Sequence, residues 1–158
     1  WNRSVIVRPD HPLAKCEQLT IEELGKYPLV TYTFGFTGVS DLDYAFNGAG
    51  ILPNIVFTAT DADIIKTYVR MGLGVGIMAS MAHTAADTDL IAIKADHLFR
   101  PSMTQIAFKN SAFLRNYMYD FITYFSPHLT RENVEKAERL HDNNAVKKLF
   151  DNVTLDVL

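Results

Sequence analysis

The stretch Thr33-Phe34-Gly35-Phe36-Thr37-Gly38-Val39-Ser40 places glycines and hydroxyls between an apolar run, Pro28 to Tyr32, and Leu42, Ala45 and Phe46, which recur at helical spacing. A chain passing from strand into helix there leaves the first backbone N–H groups of the helix without intrahelical partners. Those donors and the helix dipole favour an anion or carboxylate, Gly35 and Gly38 let a ligand approach the main chain, and Thr37 adds a hydroxyl. The carboxyl end of a parallel strand is also where open α/β sheets place their ligands. On a second reading Thr37 or Ser40 merely caps the helix, and spacing alone leaves both open.

Other chemistry-bearing residues point to less. Gly72, Gly74 and Gly76 mimic a nucleotide fingerprint, but their helix precedes them, the wrong order for cradling phosphate; a helix stop and tight strand packing fit better. The five histidines, His11, His83, His97, His128 and His141, share no ligand spacing, so no metal is expected and capping or solvated roles are. Cys16 has no neighbouring base, and Ser80 lacks the glycines of a nucleophile elbow. No catalytic constellation and no cofactor are therefore expected. Asp61 and Asp63 fall in the first turn of a helix, where the dipole favours carboxylates, and nothing more is asked of them.

The elements that position these residues follow from periodicity. Ser4 to Arg8 reads as a strand ended by Pro9 and Pro12, and Thr20 with Glu23 as a capping box opening a helix over 21–26. Strands are predicted at 28–32, 54–59, 74–79 and 90–94, with helices from Leu42 and over 61–71 between them. This alternation predicts an α/β fold, a mainly parallel sheet flanked by helices. A further strand is predicted at 104–109. Leu114, Tyr117, Met118, Phe121, Ile122 and Phe125 then stripe one helix, and two amphipathic helices follow at 131–140 and 144–150 before a ragged tail, 153–158.

Composition narrows the class. The chain has 158 residues, 48% hydrophobic and 21% charged, enough for a real core. A net charge of −3 without a basic block speaks against autonomous nucleic-acid binding. One cysteine fits a reducing, cytoplasmic setting, and no apolar run reaches membrane-spanning length. The absence of an initiator Met, with strand-like residues within the first five positions, leads us to expect a piece of a larger protein.

Two runs carry a family resemblance: Val5 to Ala14, with His11-Pro12-Leu13-Ala14, and Tyr68 to Ser80, with Gly72-Leu73-Gly74-Val75-Gly76. They resemble the effector domains of LysR-type transcriptional regulators. Tyr27 to Gly38, Thr58 to Asp63 and Phe113 to Ile122 are similar, more specifically, to the CysB subgroup, which governs cysteine biosynthesis and sulfur assimilation. The resemblance covers nearly the whole chain. It implies a periplasmic-binding-protein-like (type II) fold of two lobes, with residues 1–102 as the second lobe (effector-binding subdomain II). Residues 103–127 would be a strand and helix returning to the first lobe, whose remainder is absent, and 128–158 a C-terminal helical tail.

It further implies an amino-terminal winged helix-turn-helix that alone contacts DNA, a tetramer in the full-length protein, and no membrane association. The effector is expected between the lobes: N-acetylserine, O-acetylserine, sulfate or thiosulfate. By position Thr37 matches the cleft threonine, flanked by Phe36 and Gly38 beside Gly35, and Trp1 matches a tryptophan next to the crossing between lobes. Relatives often have a basic residue where this chain has Val39. With the earlier strands of the first lobe absent, the stripe on the helix after 112 lacks its partner sheet and is expected to self-associate or to belong to a detached tail. A solute-binding protein of a transporter is the alternative, and an enzyme is not expected.

Overall fold

In the computed structural model, residues 1–33, 41–104, 106–109, 113–140 and 142–151 are described. The chain divides into two compact units, Trp1–Met103 and a second that begins at Thr104.

The first unit is a five-stranded sheet in the order β3-β2-β4-β1-β5. Its strands are β1 (Arg3–Val7), β2 (Leu29–Tyr32), β3 (Ile55–Ala59), β4 (Val75–Ala79) and β5 (Ile91–Lys94), each within about one residue of the sequence expectation. The helices are α1 (Ile21–Leu24), α2 (Asp41–Gly48) and α3 (Ala62–Arg70). β2 pairs in parallel with both β3 and β4, whereas β1 pairs antiparallel with β4 and with β5. The sheet is therefore mixed: four strands run one way, and β1, inserted between β4 and β5, runs against them. The α/β class with flanking helices stands, and the antiparallel pairings all involve this one strand.

Strand alternation sets the two faces. Val5, Val7, Leu29, Val75 and Ile77 face one side and are buried against Ile21, Leu24, Leu42 and Phe46 of α1 and α2. Ile6, Val30 and Met78 face the other and meet Ile65 and Val69 of α3. The chain steps one way from β2 to β3 through α2 and back past β2 to β4 through α3. Right-handed crossovers then place the two helices on opposite faces. Each fully buried Leu, Ile or Phe contributes about 1.5–3 kcal/mol.

The three glycines behave as a stop and as packing. Gly72 takes φ +78°, ending α3. A Cβ at Gly74 would lie 2.4 Å from the Pro28 carbonyl oxygen, and one at Gly76 2.8 Å from Val69. Caps follow the sequence: Thr20 accepts from the Glu23 N–H at 3.2 Å, and Asp61 from the Asp63 N–H at 2.6 Å. Glu23 itself pairs with Lys26, so the return half of the capping box gives way to an ion pair.

The second unit consists of α4 (Asn116–Phe125), α5 (Arg131–Glu138) and α6 (Asn143–Leu149). Leu114, Tyr119, Ile122 and Val134 form its small core. The anticipated stripe is split: Leu114 and Ile122 are buried, while Tyr117, Phe121 and Phe125 are exposed and Tyr119 takes a core place. The strand predicted at 104–109 is corrected. Its described residues carry no strand pairing, since a strand needs a neighbour for its N–H and C=O groups and this unit offers none among the described residues.

Candidate functional site

Because β1 opposes the other strands, its first residues arrive where β2, β3, β4 and β5 end. In register, Arg3 lies opposite Ala79, and Ser4 opposite both Met78 and Lys94. The carboxyl edge of the sheet thus collects Trp1, Arg3, Ser4, Tyr32, Ser80 and Lys94.

Arg3 is the central charge there. It shares the sheet face of Val5 and Val7, the face covered by α2, and its Nη1 lies 3.6 Å from an oxygen of Asp41 in the first turn of that helix. The same Nη1 donates to the Arg100 carbonyl at 3.2 Å, and the guanidinium carbon is 5.2 Å from the centre of the Trp1 ring. Only 12% of the Arg3 side chain is exposed. That burial pulls the guanidinium below its ordinary pKa, with Asp41 acting in the opposite direction. Arg100 lies 4.4 Å over the ring of Tyr44, one turn along α2 from Asp41.

On the other face the Ser4 hydroxyl donates to Ser80 Oγ at 3.0 Å, and the Ala79 N–H donates to the Tyr32 hydroxyl at 3.3 Å. Trp1 is tied in by its main chain: its nitrogen donates to Ser102 at 2.7 Å and its carbonyl accepts from the Ser102 N–H at 2.8 Å. On the α2 side Arg3 and Arg100 stand near Asp41, a cationic arrangement that suits a small anion, while Lys94, opposite Ser4 in the ladder, lies on the other face.

Of the residues anticipated from sequence, Trp1 is at this edge, beside Arg3. Gly35, Phe36, Thr37 and Gly38 lie outside the described residues, between Thr33, whose N–H donates to Ala59 at 2.8 Å, and Asp41. Arg3 and Asp41 were not anticipated: their meeting depends on β1 being antiparallel, which periodicity does not reveal. Val5 and Val7 do give a signal, since alternation puts Arg3 on their face.

A second missed group lies on α3. Lys66, 6% exposed, places its ammonium 2.8 Å from Asp63 and 3.1 Å from Asp87, itself 7% exposed, and donates to the Ala82 carbonyl at 3.1 Å. All three of its donors are thereby used. Asp87 also accepts from the Thr84 N–H at 2.9 Å and from Arg70 at 2.9 Å. The Thr84 bond, then Lys66 and Arg70, hold its carboxyl well below the usual carboxylate range. Arg70 continues to Asp89 at 2.7 Å. Asp63 therefore does more than answer a dipole: it closes a cluster that fastens the segment after β4 to α3. A shallow recess of about 350 Å³ between Arg8, Pro9, Asp10, Arg70 and Asp89 lies at the opposite, amino edge of the sheet. Arg8 and Arg70 are each already paired there, with Asp10 and Asp89.

The remaining candidates are local. The His11 ring accepts from the Leu13 N–H at 3.2 Å, the His97 ring contacts the Leu19 carbonyl at 2.8 Å, and His128 lies 2.9 Å from Ser126 across a turn. Cys16 is a free thiol donating to the Gln18 carbonyl at 3.2 Å. Among the described residues no group of three or more His, Cys, Asp or Glu could hold a metal, and no helix is long and apolar enough to cross a membrane.

An open α/β sheet flanked by helices is the class of fold that receives ligands at its carboxyl edge, and comparison with known proteins specifies it further. The LysR substrate binding domain matches residues 1–130, and the chain belongs to that family. It is 82% identical over 156 residues to the HTH-type transcriptional regulator CysB of Haemophilus influenzae, covering 99% of this chain and 48% of that protein. Identity to the HTH-type transcriptional regulator SsuR of Burkholderia cenocepacia is 46%, over 85% of this chain and 44% of that protein. The chain thus spans about half the length of the curated relatives it matches. Among solved structures, the cofactor-binding domain of the Cbl transcriptional regulator superposes with a TM-score of 0.70 at 35% identity, covering 86% of this chain and 60% of that one. The fold is that of the periplasmic-binding-protein-like effector domains of LysR regulators, and these relatives are transcriptional regulators rather than transport proteins.

Proposed function

We propose that this chain is the effector-sensing part of a LysR-type regulator of cysteine biosynthesis and sulfur assimilation, and not an enzyme. It takes N-acetylserine, O-acetylserine, sulfate or thiosulfate at the carboxyl edge of its sheet, in a cleft between two lobes. The observation that carries this reading is the cationic edge around Arg3, at the place where open α/β sheets receive ligands. The 82% identity to a CysB supports the choice of metabolite.

In this reading residues 1–102 form the second lobe, 103–127 return toward the first, and 128–158 are a carboxyl-terminal tail. Thr37 supplies a hydroxyl to the effector, Gly35, Phe36 and Gly38 line its approach, and Trp1 stands next to the crossing between lobes. DNA is held by a winged helix-turn-helix elsewhere in a cytoplasmic tetramer. Effector binding changes DNA binding only through unequal affinity for two states of the regulator.

The test is thermal unfolding of the full-length regulator with each metabolite. A ligand present at a hundred times its Kd adds about 2.7 kcal/mol to stability. Thr37→Val is expected to reduce that gain. Absence of a shift with every acetylserine and sulfur oxyanion would remove the proposal.

A further inference from the structure

We propose that Arg3 is the residue that grips the anionic group of the effector, and that Asp41 is a built-in competitor which the effector displaces from it. The inference rests on the effector-sensing reading above and names the recognition chemistry within it.

Arg3 is nearly withdrawn from water, with 12% of its side chain exposed, yet its carboxylate partner is 3.6 Å away. Arg70 shows what a satisfied arginine in this fold looks like, with Asp89 oxygens at 2.7 and 2.9 Å and Asp87 at 2.9 Å. A guanidinium carries five N–H donors. Among the described residues, the contacts of Arg3 with the Arg100 carbonyl and Asp41 both use Nη1. Its Nε and Nη2 edge is the one that binds two oxygens of a carboxylate or oxyanion in parallel. Trp1 lies against the guanidinium as well. Among the described residues, then, nothing meets the fork of Arg3 as Asp89 meets that of Arg70.

Asp41 suits the role of competitor. Its side chain is 39% exposed, so water can take it back once the guanidinium turns to a ligand. It is also the first residue of α2, and Arg3 is the first of β1. Exchanging one carboxylate for another therefore releases the start of α2 from β1. A bound and an unbound form then differ in a specific contact, the condition for a ligand to shift a population. Sulfate and the carboxylate of N-acetylserine share the required feature, two oxygens on one side of a small anion.

The experiment is calorimetric titration of the full-length regulator with sulfate, with N-acetylserine, and with N-acetylserinamide, in which a neutral amide replaces the carboxylate. Arg3→Met is expected to weaken the two anions by roughly 10–100-fold, from the value of a hydrogen bond to a charged group, and to leave the amide unchanged. Arg3→Lys, which keeps the charge and loses the fork, recovers part of the affinity and guards against misfolding of the methionine variant. Asp41→Asn is expected to tighten both anions about 3–10-fold, as removal of a competing charge pair does, and to have no effect in the Arg3→Met background. Equal loss of anion and amide binding in Arg3→Met, or weaker anion binding in Asp41→Asn, overturns the proposal while leaving the effector reading intact. A wild-type regulator that binds none of the three, nor O-acetylserine or thiosulfate, removes both.

Discussion

Lys66 on α3 and Arg3 on β1 are both cations drawn largely out of water, yet their surroundings follow opposite plans. Lys66 spends its three donors on Asp63, Asp87 and Ala82, and Asp87 takes further bonds from Thr84 and Arg70. Among the described residues, Arg3 has a single carboxylate at 3.6 Å and a carbonyl at 3.2 Å. A saturated cluster has nothing left for a ligand, so its effect is on the fold, whereas an unsaturated cation at a sheet edge can exchange partners. Burial of charge alone does not mark a site; the bonds left over do.

The largest effect that separates the two is loss of the α3 cluster. Lys66→Met leaves Asp87 largely withdrawn from water without its ammonium partner, and the melting temperature is expected to fall by roughly 5–10 °C. Adding Asp87→Leu should restore much of that loss, since replacing a buried ion pair by apolar groups is often neutral. A calorimetric scan of the two variants checks it. If Lys66→Met unfolded like the wild type, the cluster would be ornamental and the contrast with Arg3 would vanish.

Acid probes the same cluster. The Asp87 carboxyl titrates below its unfolded value, chiefly because the Thr84 N–H, Lys66 and Arg70 favour the charged form. Its contribution is therefore complete above the unfolded value of about 3.9 and drains away as pH falls toward the lower folded value. Lys66, raised first by Asp63 and then by Asp87, acts in the opposite sense. Its contribution is intact below about 10.4 and is lost as pH rises through the higher folded value. Urea denaturation from pH 5 to pH 2 is expected to show a steeper acid loss in the wild type than in the Lys66→Met/Asp87→Leu variant.

A smaller effect comes from the amino edge of the sheet, where Gly74 meets Pro28. Gly74→Ala puts a Cβ into a 2.4 Å approach to a carbonyl oxygen. Overpacking of this kind costs about 1–3 kcal/mol. Because it lies at the end away from Arg3, it should lower stability in denaturant without altering anion affinity. A change in affinity would show that the two edges communicate.

The fold was largely legible because hydrophobic alternation and turn chemistry act locally. Pro28 to Tyr32 announces β2, Asp61 caps α3, and Gly72 ends it with a positive φ. Pairings that close over long separations were not legible. Nothing in Arg3-Ser4-Val5 says that this strand enters the sheet against its neighbours, and with that hidden, the approach of Arg3 to Asp41 is hidden too. Lys66 was more accessible: it lies beside Ile65 and three residues before Val69, both buried, so helical spacing turns it toward the sheet and demands a partner. The strand predicted at 104–109 shows the opposite failure, a β-favouring run whose described residues find no strand to pair with.

The smallest effect is also the most pointed. Asp41 is the only carboxylate among the described residues within 4 Å of the Arg3 guanidinium, and by the logic of a tight pair its loss would be costly. At 3.6 Å, with an exposed acid, the pair contributes at most about 1 kcal/mol, and the charge at the start of α2 adds a few tenths. Asp41→Asn is therefore expected to shift the denaturation midpoint only slightly while Lys66→Met shifts it strongly. The order of these two variants in one urea titration decides whether the fold treats Lys66 and Arg3 differently. A large loss for Asp41→Asn would mean that the Arg3 pair, too, is part of the framework and has no partner to exchange.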